Sequence, residues 1–479
     1  MKRPCLWSAL AAAALLLLPG ALAAQRVEVV VGTDGRRVPD AVVQRGRLAP
    51  EWMAQAGWVG RVERQVATAQ PVAGDMPLIA VLALFADSEE PVLGAEDLQR
   101  VLFDGPATDG TLKEFYGENS GGRLNLVGSV TPWVRTSLMR EYVVGSEWGL
   151  GEDAHVGEYL VEALSLIDPD IDFGEYDNDG PDNVPNSGDD NGIVDAIAFH
   201  FLEGNGSCGG EGIWPHFWGL APSTGSAYET NDLRPDGTPV KIDPYFIQSI
   251  AGCGGSSVAA ITAIAHELGH LLGLPDLYHP VDGLLASQRR WVVGCWSLMA
   301  AGAWGCPSDN STGMWTRPTH IDAWGKKRLG WLDDIEVVPA AEFETYLLPP
   351  VRSSGRILEV PLSDVERLLI EYRERAGFDY YLPAAGVLVY RVNDTLPSRP
   401  CAECPPVYRV QLLEADGDSA LVETAPQGGN RGVAGDAYGA SGPGALTNLT
   451  EPSTRHDAGL GPESDVNIYS ITLEGSGAR

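Results

Sequence analysis

Residues 266–276 read His-Glu-Leu-Gly-His-Leu-Leu-Gly-Leu-Pro-Asp, and no other stretch of the chain limits its fold so tightly. Two histidines four positions apart can meet one metal ion if they share a helix face. Glu267 follows the first of them and stands beside the metal without having to bind it. From there a carboxylate can take a proton from a metal-bound water and later give it to a leaving amine. Gly273 permits a left-handed turn that ends the helix, and Pro275 prevents its continuation. The chain can then swing Asp276 back as a third ligand, with His279 as a chemically reasonable rival. Three protein ligands with one open position is the coordination a hydrolytic zinc requires.

The flanking residues support a packed helix rather than a surface one with two solvated histidines. Ile261, Ile264, Leu268 and Leu271 form an apolar stripe at helical spacing, and Ser256 or Ser257 can cap its start. Downstream stands Gly294-Cys295-Trp296-Ser297-Leu298-Met299-Ala300. In metzincin metalloproteases a methionine-containing turn passes beneath the metal, and the segment around Met299 resembles it.

Beyond these two elements the chain resembles the secreted immune inhibitor A-like zinc metalloproteases. The likeness rests on His266 to Tyr278, on the turn ending Trp296-Ser297-Leu298-Met299-Ala300, and on Ile321 to Trp331. Phe115 to Arg123 upstream, and Leu368 to Arg373 with Gly386 to Val392 downstream, are also similar. The resemblance runs from about residue 76 to the end and is loose after residue 395. It implies one catalytic zinc on His266, His270 and Asp276, Glu267 as general base, and protein or peptide substrates.

The rest of the chain fits an exported enzyme. Lys2 and Arg3, the apolar run Ala9 to Leu18 and the small residues Ala21-Leu22-Ala23 read as a signal peptide over 1–23. No other run has the length of a membrane helix. After Cys5, six cysteines remain, and sequence proximity suggests Cys208–Cys253, Cys295–Cys306 and Cys401–Cys404 among the alternatives. A net charge of −32 argues against nucleic-acid and anionic-membrane partners.

Pattern and composition divide the chain further. Residues 24–75 read either as a plain N-terminal extension or as a removable propeptide. Apolar runs at Pro77–Phe85, Leu124–Val130 and Ile193–Phe199 predict strands, and Leu112–Tyr116 and Ala154–Ile167 predict helices. Interleaved with the histidine helix, they predict an α/β (α+β), metzincin-like catalytic domain over 76–335. Helical periodicity then gives way to short strands, predicting an all-β extension over 336–479.

Between Asp168 and Asp195 lie ten acidic residues and no basic one. Asp177, Asp179 and Asp182, with Asp195 after them, offer hard oxygen ligands at alternating spacing, which suits a structural calcium ion. The bland alternative is a solvated acidic loop. Glu414-Ala415-Asp416-Gly417-Asp418 is a weaker acidic candidate that reads more readily as a hairpin turn. The leading expectation is therefore a secreted zinc endopeptidase. The rival is a non-catalytic, calcium-dependent adhesion protein, for which the Glu267 carboxylate would have no use.

Overall fold

The computed structural model describes residues 71–279, 288–306, 317–338, 344–397, 407–439, 444–456 and 459–471, with two short strands beyond them. The expected signal peptide, all but the last residues of the 24–75 extension, and the Cys401–Cys404 pair lie outside the described residues.

The first sheet is built around β1 (Gly74–Leu84), flanked by β2 (Leu124–Val130) and β4 (Ile197–Phe201), with β8 (Pro244–Ser249) and β5 (His216–Gly219) beyond β4. A short β3 (Val134–Arg135) pairs with the far end of β1. β2, β1, β4 and β8 run parallel, and β5 is an antiparallel edge. A central parallel strand is covered on both faces, which is why Leu78 through Ala83 are apolar without alternation and have no exposed surface. Leu78, Ala80 and Leu82 join one core, and Ile79, Val81 and Ala83 join another.

Helix α1 (Leu112–Asn119) and helix α3 (Thr262–Leu271) belong to the first of these cores. Helix α2 (Val156–Ile167) fills the second with Tyr159, Leu160, Ala163 and Leu164, and the Tyr159 hydroxyl donates to the Ala83 carbonyl at 2.7 Å.

Two local expectations need correction. The strand expected over Ile193–Phe199 begins at Ile197. Ile193 and Val194 are drawn instead toward Lys241 of β7 (Pro239–Ile242), which pairs with β6 (Tyr228–Leu233), and Asp195 accepts a hydrogen bond from the Asn178 amide, so this stretch belongs to the acidic loop. Ser256 and Ser257 do not cap the metal helix, which starts at Thr262 after an Ile261 with no side-chain cap. Ala251 bridges Val258 and the Cys208–Cys253 disulfide pins the turn between them, so the serines are spent in that turn. In the chain-entropy account a cross-link over 45 residues stabilises by about 4 kcal/mol.

The second sheet has the order β13-β12-β11-β10-β9, from β9 (Asp334–Val337), β10 (Arg356–Pro361), β11 (Glu366–Arg373), β12 (Gly386–Asn393) and β13 (Val410–Leu412). Short helical turns at Val351–Ser354 and Gly377–Tyr381 interrupt it. Leu369, Leu388, Tyr390 and Leu412 share one core with Trp296, Met299 and α3, whereas Leu368, Ile370, Val387 and Val389 form a separate cluster on the other face. The second sheet is thus packed directly onto the layer that carries the histidines. The first described residues are tied in as well, since Trp331 Nε1 donates to the Val72 carbonyl at 2.8 Å.

Candidate metal centre

α3 delivers the motif as its spacing requires. His266 and His270 project from one face with ring centroids 4.6 Å apart. Gly273 has φ +82°, its amide bonds the His270 carbonyl, and the Leu274 amide bonds the Gly269 carbonyl. These two bonds form a Schellman C-cap. The reversal brings Asp276 back, placing its Oδ1 3.2 Å from His266 Nε2 and 3.3 Å from His270 Nε2. Ligands of one tetrahedral zinc lie roughly 3.3 Å apart for bonds of about 2 Å, so the donor set and its separation fit that ion. His279 lies elsewhere, with its ring 6.0 Å from Tyr408 and its amide on the Arg290 carbonyl.

The other ring nitrogens are occupied. His266 Nδ1 sits 3.0 Å from the Leu298 carbonyl, and His270 Nδ1 sits 2.9 Å from the Leu274 carbonyl. A carbonyl can only accept, so both Nδ1 atoms carry hydrogen, and both Nε2 atoms are turned toward Asp276. Burial works against a charged His270, but Asp276 outweighs it and raises this histidine to about 9.

Met299 is buried beneath the helix. Its sulfur lies so close to Gly269 that a Cβ there would stand 2.6 Å from it, so the glycine is needed for this approach. The Met299 carbonyl accepts from the Leu277 amide at 2.7 Å, tying the turn to the residue after Asp276. The Ser297 hydroxyl donates to Asp322, which also caps the short helix α4 (Ala323–Arg328). Cys295–Cys306 closes the same turn.

Glu267 is partly exposed and accepts a hydrogen bond from the Phe217 amide on edge strand β5. Burial pushes its carboxyl above the ordinary range, while His266 and His270 draw it back. The Tyr116 hydroxyl donates to the Ala265 carbonyl at 2.6 Å and so fixes the helix just before the motif.

A buried polar network that sequence reasoning did not find lies behind the turn. Lys326 Nζ donates to His320 Nδ1 at 3.1 Å, and His320 Nε2 donates to Glu118 at 2.7 Å, so His320 is neutral. Arg373 holds Asp379 through two bonds of 2.6 Å, contacts Glu371 at 3.0 Å, and donates to the Trp296 carbonyl at 3.1 Å. Burial alone would raise Asp379, but the Arg373 guanidinium, with the His320 amide donating to the same carboxylate, holds it far below the usual carboxylate range. The available signal was a run of charged residues at the end of an otherwise apolar strand, Glu371 and Arg373.

In the acidic loop the structure gathers Asp177, Asp179 and Asp190, with one oxygen from each within 4.8 Å of the others. The expected Asp182 is exposed and accepts from the Val184 amide, because the chain reverses through Asn183 and Asn186 at positive φ. Asp190 returns in its place, bonded by the Gly180 and Ser187 amides. Asp195 is buried beside this group and accepts from the Asn178 amide at 2.9 Å. Asp177 is fully buried, and its Oδ1 has no hydrogen-bond partner. Burial, then Asp190 and Asp179, raise it to about 7.

Residues 97–332 match the family model for the catalytic domain of the immune inhibitor A peptidases, M6. The pre-pro-metalloprotease PrtV of Vibrio cholerae is 27% identical over 235 residues, which is 46% of this chain and 23% of the relative. Immune inhibitor A of Bacillus thuringiensis subsp. alesti is 26% identical over 315 residues, or 60% of this chain and 43% of the relative. The chain therefore spans less than half the length of either relative.

Proposed function

Residues 97–332 form a catalytic domain of the immune inhibitor A peptidase family, and on that premise we propose that the protein is a secreted zinc endopeptidase with a metzincin-like centre. The observation that carries the reading is the meeting of His266 Nε2, His270 Nε2 and Asp276 Oδ1 beside Glu267. These three side chains would hold the zinc. When bound, the ion supplies Lewis-acid polarisation of the scissile carbonyl and lowers the pKa of its water to roughly 7.

The protein's own groups do the rest. The Leu298 and Leu274 carbonyls hold the two imidazoles in the tautomer that presents Nε2. Glu267, raised by burial, takes the proton from the attacking water and passes it to the departing nitrogen. The Phe217 amide keeps that carboxylate turned toward β5. Export is supported by two disulfides, Cys208–Cys253 and Cys295–Cys306. Among the described residues no helix is long and apolar enough to cross a membrane.

A structural calcium ion belongs to the same proposal, on Asp177, Asp179 and Asp190. The unpartnered buried Oδ1 of Asp177 supports it, since a buried carboxylate oxygen without a donor is costly unless a cation meets it. The deciding experiment for the enzymatic reading is casein hydrolysis by purified protein with and without a zinc chelator. Cleavage that survives complete removal of zinc would overturn it.

A further inference from the structure

A second group of carboxylates lies on the far side of the methionine turn. Glu414, Asp416 and Asp418 follow β13 at alternate positions, and one oxygen from each falls within 4.8 Å of the others. Glu414 is buried and accepts from the Leu421 amide, whereas Asp416 and Asp418 are exposed. Such a cluster alone would be an ordinary acidic turn.

Asp436 makes it different. The Ala415 amide bonds the Asp436 carbonyl, and Gly435 lies so close to Asp416 that a Cβ would stand 2.1 Å from its carboxylate oxygen. Asp436 is therefore pressed against the 414–418 loop. Its Oδ2 accepts from Trp296 Nε1 at 2.8 Å and from the Val433 amide at 3.0 Å. Its Oδ1 has no hydrogen-bond partner, and the residue has no exposed surface. Oδ2 is taken by Trp296 and Val433, so Oδ1 is the oxygen of Asp436 left without a donor beside the 414–418 loop. A buried carboxylate oxygen without a donor calls for a cation.

We propose that Glu414, Asp416, Asp418 and Asp436 form a calcium-class cation site seated against Trp296 of the methionine turn. Glu414, Asp416 and Asp418 supply hard oxygen ligands at the alternate spacing calcium favours, Asp436 adds a buried carboxylate beside them, and Gly417, at φ +72°, makes the turn between Asp416 and Asp418. The two exposed aspartates leave the entry side open to solvent. This site is independent of the peptidase reading and of the Asp177 group.

The test uses the full, zinc-loaded chain, freed of calcium by dialysis, and equilibrium dialysis with radioactive calcium. Asp416→Asn with Asp418→Asn should bind one equivalent fewer than the parent, with zinc content unchanged. Both side chains are exposed, so the variant is expected to fold. Equal calcium stoichiometry in parent and variant overturns the site. As a second measurement, calcium should raise the Tm of an Asp177→Asn, Asp179→Asn variant, and adding the 416 and 418 substitutions should abolish that rise. No rise in the first of these variants would likewise overturn the proposal.

Discussion

His266 Nδ1 and the carbonyl oxygen of Leu298 are 3.0 Å apart, and that contact joins the metal helix to the turn beneath it. Leu298 is itself held from the other side, since its amide bonds the His320 carbonyl at 3.0 Å. The His320 amide donates to Asp379, and Asp379 is locked by Arg373. His266 on α3 is thus oriented through groups contributed by the second sheet.

Glu267→Gln keeps the hydrogen-bonding shape and removes the proposed proton acceptor. Zinc content and circular dichroism should match the parent, while kcat falls by about 10²–10⁴-fold or more. Turnover near the parental rate would mean that another group activates the water.

Asp276→Ala should weaken zinc binding by more than about a hundredfold, the upper end of what loss of a supporting partner costs. His279→Ala, whose ring faces Tyr408, should retain the metal. Metal analysis after dialysis at fixed free zinc checks both. Loss of zinc in the His279 variant alone would reverse the assignment.

Arg373→Met leaves Asp379 and Glu371 buried without their shared counter-charge. Breaking one side of a buried pair costs about 3–5 kcal/mol. Urea unfolding of the zinc-loaded protein measures it. A cost under about 1 kcal/mol would show that the network contributes little to holding the turn.

Asp177→Asn with Asp179→Asn should reduce the rise in Tm that calcium gives the parent. At a hundredfold excess over Kd that rise corresponds to about 2.7 kcal/mol. A parent whose melting is indifferent to calcium would return the loop to a solvated acidic turn.

His200 carries a pH prediction. It lies on β4, and burial lowers it from the usual 6.5 to about 4. The unfolded chain therefore binds a proton at higher pH than the folded one does. Stability from this group is full above pH 6.5 and falls as pH drops toward 4, by roughly 3 kcal/mol in all. His200→Gln should remove that part of the slope between pH 7 and 4.5 in urea titrations. An unchanged slope would show that His200 takes up its proton without unfolding.

Much of the catalytic layer was legible because its requirements are local. The four-residue spacing, Gly273 and Pro275 each force the backbone in a stated direction, and the structure follows them. Leu124–Val130 could be read to the residue because its apolar positions alternate against solvent. The spacing points to Asp182 whereas the structure gathers Asp190, since nothing in the spacing reveals that two asparagines at positive φ turn the loop over. The Arg373–Asp379–His320 network was illegible for a different reason. Its members are brought together across 59 and 6 positions, and no periodicity records a long-range ionic contact. The β5 contact with Glu267 was hidden because a four-residue edge strand carries too little pattern.

The bond from Arg373 to the Trp296 carbonyl also has a consequence in time. The ribosome makes His266, Glu267 and His270 well before it makes β11, and at about 5–20 residues per second the gap is on the order of 5–20 s. During that interval the nascent chain holds the full metal motif but lacks the guanidinium behind its supporting turn. A chain truncated before residue 373 would carry a legible motif on an unfinished foundation. The topology thus places the guanidinium that backs the turn after every residue of the candidate centre in order of synthesis.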